Sequence, residues 1–193
     1  MIKIGKDISK FYVHSYQPTE TEELKNIINE RISKEGSNCN LNDIDVSLIT
    51  DMSELFYYSK FDGDISEWDV SNVKSMHSMF YSSNFNGDIS NWNVSQVVDM
   101  KMMFAGSAFN QDISRWNTSR VEDMGLMFYH SRFNKDISDW DVSNVNNMVL
   151  MFTGSKFECD ISKWKIKKHC DTTNMFSRCP IKKEHKPKLS RRN

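Results

Sequence analysis

Five tryptophans recur at intervals of 24 residues without a shift in register, and the chain has no others. A fixed period of roughly 20–50 residues is typical of repeat proteins, in which each unit buries its apolar face only against its neighbours. The chain is therefore expected to form one stack of repeats rather than to pack around a single centre. The tryptophans are Trp68, Trp92, Trp116, Trp140 and Trp164.

Phenylalanine and methionine follow the same register. Of the twelve Phe and twelve Met, all but three fall in columns, meaning positions that recur every 24 residues. We number these positions from Phe61 (position 1) to Asn84 (position 24), which places Trp68 at position 8. A further repeat without Trp precedes them in residues 40–60, where Ile44 takes position 8. The pattern predicts about six repeats over residues 40–180.

The first part of each repeat predicts a short β-strand. Ile65, Trp68 and Val70 have the spacing of the strand in leucine-rich repeats, with Trp at a place usually held by Leu. Side chains alternate across a strand, so Glu67 and Asp69 are expected on its solvent face.

The second part of each repeat predicts a short helix. Apolar residues recur there at three- and four-residue spacing, and Ser71 is placed to cap the first turn. Together the two elements predict an α/β solenoid, a leucine-rich-repeat-like array of about six 24-residue strand-helix coils. The helical residues in the repeat that begins at Phe61 are Val73, Met76, Met79 and Phe80.

Residues 1–39 are predicted to cap the first repeat, because a repeat stack must cover its terminal apolar faces. Thr19 and Glu22 have the spacing of a capping box ahead of an amphipathic helix, and Gly36 is placed to end that helix. Residues 7–13 weakly resemble the predicted strand and are expected to form an edge strand. The apolar face of the helix consists of Leu24, Ile27, Ile28 and Ile32.

The net charge of −1 conceals a strong asymmetry. From Lys163 onward the chain has eleven Lys and Arg against two acids, about +9, which leaves about −10 for residues 1–162. Residues 181–193 form a basic tail that is predicted to be disordered and solvated. The alternatives are binding of nucleic acid through counterion release, or contact with an acidic partner or another copy of the chain.

Aspartates recur at position 4, where each precedes a predicted strand. Carboxylates about 5 Å apart would repel by roughly 3 kcal/mol per neighbouring pair at an effective dielectric of 20, so a compensating interaction is required. Either each Asp accepts backbone N–H groups in an Asx turn, or the column binds cations. The column consists of Asp64, Asp88, Asp112, Asp136 and Asp160.

The sequence offers little for catalysis. The five His share no column, and there is no nucleophile elbow, phosphate loop or cluster with metal-ligand spacing. The four Cys occupy unrelated positions, which indicates reduced thiols rather than a disulfide framework. We expect no enzymatic activity, no cofactor and no bound metal.

A partner is expected to contact residues that vary between repeats, because the invariant ones maintain the fold. Two exposed columns vary, at positions 7 and 9. Position 18 is apolar in three adjacent repeats and would point outward from a regular helix, although irregular turns would leave it partly covered. The partner-binding candidates are Glu67, Asn91, Arg115 and Asp139 at position 7, Asp69, Asn93, Asn117 and Asp141 at position 9, and Met102, Leu126 and Leu150 at position 18.

The repeated motif F-N-x-D-I-S-x-W-[DN]-V-S-[NQR]-V-x-[DNS]-M-x-x-M-F resembles the BspA-like leucine-rich-repeat family, which overlaps a lipoprotein-associated repeat family of unknown function. The resemblance covers residues 40–180. It implies a right-handed leucine-rich-repeat-like solenoid with a binding role, often adhesive and at the cell surface, and no enzymatic activity. It supplies no catalytic residues.

No apolar run is long enough to span a membrane, and the first residues lack the apolar region of a secretory signal, so a cytoplasmic protein is expected. The leading hypothesis is a non-catalytic protein–protein recognition scaffold, such as an intracellular, mobile-element or viral effector. The alternatives are a cell-surface adhesin and a nucleic-acid-associated protein that uses the basic end.

Overall fold

The computed structural model describes residues 15–189, which contain one α-helix, α1 (Thr21–Glu35), and one short 3-10 helix (Lys183–His185). Between them the backbone forms no β-strand and only isolated parallel bridges that join residues 24 apart, such as Asp99 with Asp123. The prediction of a leucine-rich-repeat-like α/β solenoid with strand-helix coils is therefore wrong. Each repeat is instead a chain of turns.

The residues predicted as strand and helix form successive tight turns. The Trp68 N–H donates to the Ile65 carbonyl at 3.2 Å, and the Val73 N–H donates to the Val70 carbonyl at 3.0 Å. Three overlapping turns follow over residues 76–83, each closed by an N–H that donates to the carbonyl three residues before it. The apolar spacing of the sequence is preserved because each turn directs its apolar side chain inward, and the whole pattern is buried.

A helix is excluded over residues 71–83 by the direction of the backbone N–H groups. The Ser78 N–H donates to the Lys101 carbonyl of the next repeat at 2.9 Å, whereas an α-helix would direct it four residues back. Ser78 has a φ of 53°, in the left-handed region that interrupts a right-handed helix. The same region is occupied at position 18 of all six repeats: Glu54, Ser78, Met102, Leu126, Leu150 and Asn174.

Consecutive repeats are joined by a ladder of four backbone hydrogen bonds. The N–H groups at positions 16, 18, 20 and 22 donate to the carbonyls at positions 15, 17, 19 and 21 of the next repeat, at all five junctions. The Met76 N–H, for example, donates to the Asp99 carbonyl at 2.9 Å, and the Phe80 N–H donates to the Met103 carbonyl at 2.9 Å. Every N–H of this ladder points toward the C-terminal end of the stack.

The core consists of aromatic columns that run through the stack. Phe80 and Phe85 stack within one layer at 4.5 Å between ring centroids, and Phe85 stacks on Phe109 of the next repeat at 6.2 Å. The tryptophans are buried, as predicted, and their indole N–H groups also bond to the preceding repeat. Trp92 Nε1 donates to the Ile65 carbonyl at 3.2 Å, and the other four tryptophans repeat this bond.

The helix α1 covers the first repeat with its predicted apolar face, on which Leu24 and Ile28 are buried. It is followed by Gly36, whose φ of 91° favours glycine and whose N–H donates to the Ile32 carbonyl. The predicted capping box is absent, because the Thr19 N–H donates to Glu23 Oε2 at 2.9 Å. Thr21 Oγ1 donates to the Asp51 carbonyl at 2.7 Å and ties the start of α1 to the first repeat.

The last repeat is partly covered by the start of the basic segment. Ile181 and Pro187 are buried, and the Ile161 N–H donates to the His185 carbonyl at 3.0 Å. The edge strand predicted at residues 7–13 and the end of the tail at residues 190–193 lie outside the described residues.

Candidate partner-binding surface

The side chains at position 7 are exposed and carry out no visible structural task. They lie within the turn that runs from position 5 to the buried tryptophan at position 8. In the five repeats that contain Trp, these side chains form no hydrogen bond and no ion pair of their own within residues 15–189. The exception is Asp43, at position 7 of the first repeat, which is half-buried and forms an ion pair with Arg31 at 2.9 Å. The identity of the other five side chains can therefore change from repeat to repeat without altering the fold. The four predicted residues in this column are Glu67, Asn91, Arg115 and Asp139.

The side chains at position 9 are also exposed, but one oxygen of each is used by the fold. Asp69 Oδ1 accepts the Ser71 N–H at 3.0 Å, and Asp141 Oδ1 accepts the Ser143 N–H at 2.9 Å. Asn93 and Asn117 make the same Asx turn at 3.2 Å. At these four positions the turn favours Asp or Asn, and only the second polar atom of each side chain is available to a partner, whereas the last repeat carries Lys165 at position 9.

The hydrogen bonds at Asp141 also favour its ionised form. The Ser143 hydroxyl and then the Ser143 N–H bind the Asp141 carboxylate and lower its pKa from the ordinary value of 3.8. The negative charge at this position is therefore kept into more acidic solution than for a free aspartate.

The aspartates at position 4 accept backbone N–H groups, as one of the two sequence interpretations predicts. Asp64 Oδ1 accepts the Ser66 N–H at 3.0 Å, and Asp112 Oδ1 accepts the Ser114 N–H at 2.9 Å. The Ser114 N–H and hydroxyl lower the pKa of Asp112. Within residues 15–189 no group of three or more His, Cys, Asp or Glu is arranged to hold a metal ion.

Shallow polar grooves lie between successive aspartates of this column. One has a volume of about 430 Å³ and is lined by Asp136, Ser138, Cys159, Asp160 and Lys163. Its counterpart two repeats earlier has a volume of about 230 Å³ and includes Arg115. Arg115 is thus a predicted partner-binding residue that the structure places beside a concave surface.

The apolar residues at position 18 do not form the exposed helical face that their spacing predicts. Met102, Leu126 and Leu150 are half-buried, with φ values of 58°, 56° and 58°. They lie on a different turn of the repeat from positions 7 and 9. The structure thus agrees with the alternative that irregular turns leave this column partly covered.

Sequence reasoning missed a cluster of exposed tyrosines on the first two repeats. Tyr57 and Tyr58 are 44% and 64% exposed, and the Tyr57 ring stacks on the Tyr81 ring at 4.9 Å between centroids. The Tyr58 ring meets the other two edge to face. The signal was present in the sequence, because Tyr57 and Tyr58 occupy positions 21 and 22 of the first repeat and Tyr81 occupies position 21 of the next. The third repeat carries Ala105 and Gly106 at these positions.

Comparison with known proteins places the chain in a family without assigning a function. One family model, described as "Mycoplasma protein of unknown function, DUF285", matches twice, over residues 22–132 and 83–188. No curated protein and no solved structure matches the chain. Among the described residues no helix is long and apolar enough to cross a membrane. Because the two matches together span most of the sequence, the chain belongs to the DUF285 family, which is of the general BspA-like repeat type.

Proposed function

We propose that the protein is a non-catalytic protein–protein recognition scaffold that contacts its partner mainly through position 7. The proposal depends on one contrast within the repeat. The backbone ladder, the tryptophan N–H bonds and the Asx turns recur from repeat to repeat. The exposed side chains at position 7 of the five repeats that contain Trp differ in charge and have no bonds of their own within residues 15–189. A surface whose fold is constant and whose chemistry varies is suited to specific recognition.

The charge along this column changes from one repeat to the next. It runs from Glu67 through Asn91 and Arg115 to Asp139, and the last repeat adds Lys163. Opposite charges at defined intervals favour a partner with the complementary order, and unsuitable partners meet like charges. The second polar atoms of Asp69, Asn93, Asn117 and Asp141 extend the same exposed surface with further hydrogen-bonding groups.

The rigid backbone supports this role. Next to position 7, the backbone N–H of each Trp closes the turn onto position 5 and its indole N–H bonds to the preceding repeat. Because these bonds hold the backbone in place, little backbone entropy is lost when a partner binds. Side-chain ordering remains, chiefly for the long side chains such as Arg115.

The proposal is tested by reversing charge at position 7 only. A doubly substituted variant, Glu67→Lys with Asp139→Lys, disturbs no hydrogen bond of these side chains within residues 15–189. Tagged full-length protein would be used to capture proteins from a lysate of the source cells, with quantitative mass spectrometry. We expect specific partners to be depleted about tenfold or more, as for the loss of several favourable charge contacts.

The matched control is Glu122→Lys with Glu158→Lys, which makes the same charge change at exposed positions outside columns 7 and 9. Partners lost with the position 7 variant and kept with the control support the proposal. An identical set of captured proteins for the wild type and the position 7 variant would exclude this column as the binding surface.

A further inference from the structure

Within residues 15–189, the last repeat ends the stack with a row of backbone donors that have no acceptor. At the five internal junctions, the N–H groups at positions 16, 18, 20 and 22 all donate to the next repeat. In the last repeat these positions are Thr172, Asn174, Phe176 and Arg178, and their N–H groups have no acceptor within residues 15–189. We call these four N–H groups the donor edge.

The donor edge is accessible and lies in positively charged surroundings. Asn174 and Arg178 are exposed, and Thr172 and Phe176 are half-buried. Lys186 Nζ lies 5.2 Å from the centre of the Phe176 ring, and the Arg178 side chain belongs to the edge itself. The nearest acid of the same turn, Asp171, accepts the Thr173 N–H and hydroxyl.

Aligned N–H groups add to this positive potential. Asn174 and Arg178 both have a φ of 54°, so right- and left-handed residues are mixed along the edge. The N–H groups between them are already used, because those of Met175 and Ser177 donate to the Thr172 and Asn174 carbonyls. The four edge N–H groups therefore form a row of aligned dipoles whose positive ends face outward, which favours anions.

The donor edge also restricts the kind of chain that can pair with it. An ordinary extended strand presents both N–H and C=O groups along one side. If such a strand paired with the donor edge, its N–H groups would face other N–H groups and find no acceptor. Ionised carboxylates offer only acceptors, and Arg178 and Lys186 supply opposite charge.

We propose that the donor edge binds an extended, acidic segment of a partner protein, with Asp or Glu carboxylates accepting from the four N–H groups and facing Arg178 and Lys186. The inference rests on the proposed function and deepens it, because it adds a second recognition surface and states the chemistry of the segment that fits it.

A second copy of the chain is a less suitable occupant. The complementary row of carbonyls lies on the first repeat, which is the repeat that α1 covers. Thr21 Oγ1 already donates to the Asp51 carbonyl at that end, and Leu24 and Ile28 are buried there. A second copy would have to release this bond before its Asp51 carbonyl, the first of the row, could pair with the donor edge.

The test uses the full chain labelled with ¹⁵N and a synthetic peptide of about ten glutamates, with a glutamine peptide of the same length as control. We expect the glutamate peptide to shift the amide signals of Thr172, Asn174, Phe176 and Arg178. The signal of Leu150, which stands at position 18 of an internal junction, is expected to stay unchanged. The glutamine peptide is expected to cause no shifts.

Charge removal then tests the side chains. Arg178→Gln with Lys186→Gln is expected to weaken binding of the glutamate peptide about five- to tenfold, as for the loss of two exposed charge contacts. Lys156→Gln, at an exposed lysine in an internal repeat, is the matched control and is expected to leave affinity unchanged. An unaltered amide spectrum away from the end of the stack establishes that both variants are folded.

Several results would overturn the inference: shifts spread over the lysines without the four edge amides, equal binding of the glutamine peptide, or equally tight binding of inorganic phosphate. Loss of the shifts on dilution of the protein alone would indicate self-association instead of a peptide site. The position 7 variant Glu67→Lys with Asp139→Lys should bind the glutamate peptide normally. Failure of the donor edge and failure of the position 7 proposal are therefore distinguishable.

Discussion

The indole N–H of Trp116 provides a sharp test of how the repeats are held together. Trp116 is buried in the middle of the stack, and its Nε1 donates to the Ile89 carbonyl of the preceding repeat at 3.1 Å. The same carbonyl also accepts the backbone N–H of Trp92 at 3.2 Å. Removing the indole donor therefore leaves the Ile89 carbonyl with one bond rather than none.

Two replacements separate the hydrogen bond from the size of the ring. Benzothienylalanine at residue 116 keeps the shape of the indole and removes only the donor, so we expect a loss of about 0.5–1.5 kcal/mol in the free energy of unfolding. Trp116→Phe also removes about 40 Å² of buried apolar surface, about 1 kcal/mol more, and leaves a small cavity. We expect Trp116→Phe to lose about 2–3 kcal/mol in total.

Urea unfolding followed by circular dichroism measures both losses. The slope of the unfolding free energy against urea concentration should be unchanged, because neither replacement alters the surface exposed on unfolding by much. A benzothienylalanine variant as stable as the wild type would refute the reasoning, since the tryptophan column would then act only through its apolar area.

Two further perturbations test other columns. Ser114 lowers the pKa of Asp112, so this carboxylate stabilises the folded state above its unfolded pKa of about 4 and ceases to do so as the pH falls through the lower folded pKa. Asp112→Asn keeps the Asx acceptor, and should reduce the loss of stability between neutral and acidic pH in urea titrations; an unchanged pH dependence would contradict this. Glu54 is exposed at a φ of 60°, so Glu54→Gly should raise the unfolding free energy by about 0.5–1 kcal/mol. Asn174→Gly should raise the unfolding free energy by less, because Asn tolerates the left-handed region better than Glu does. Equal increases in the stability of the two variants, measured by thermal unfolding, would argue against left-handed strain at Glu54.

The sequence predicted which residues are buried but not which backbone conformation buries them. Val73, Met76, Met79 and Phe80 are all buried, as their spacing predicts. That spacing fits a helix and also a series of tight turns, because both return to one face every three or four residues. The decision between the two depends on where each N–H finds its acceptor, and for Ser78 that acceptor is Lys101 in the next repeat. Hydrophobic periodicity within one repeat cannot reveal such a bond.

One local signal did favour turns. Asp64-Ile65-Ser66 and Asp69-Val70-Ser71 both place an Asx residue two positions before a serine, and both form Asx turns. Asp, Asn and Ser compete with regular secondary structure by binding nearby backbone N–H groups. The signal was recognised at Asp64 but not at Asp69, where the leucine-rich-repeat spacing favoured a strand.

The candidate surface was predicted in part. All eight predicted residues at positions 7 and 9 are exposed. The side chains at position 9 form Asx bonds and those at position 7 do not, and this difference depends on turn geometry that a strand prediction does not contain. Met102, Leu126 and Leu150 were assigned from a helical face that does not exist. Whether any of these residues contacts a partner stays a prediction.

The uniformity of the junctions has a consequence for how proteins of this kind change length. Because each junction uses the same four backbone bonds, excising one whole 24-residue repeat joins two surfaces that already match each other. An insertion or deletion of any other size would bring mismatched positions together and break the ladder. Descendants of such a gene are therefore expected to differ by whole repeats between α1 and the final segment, gaining or losing one position 7 side chain each time while the architecture stays the same.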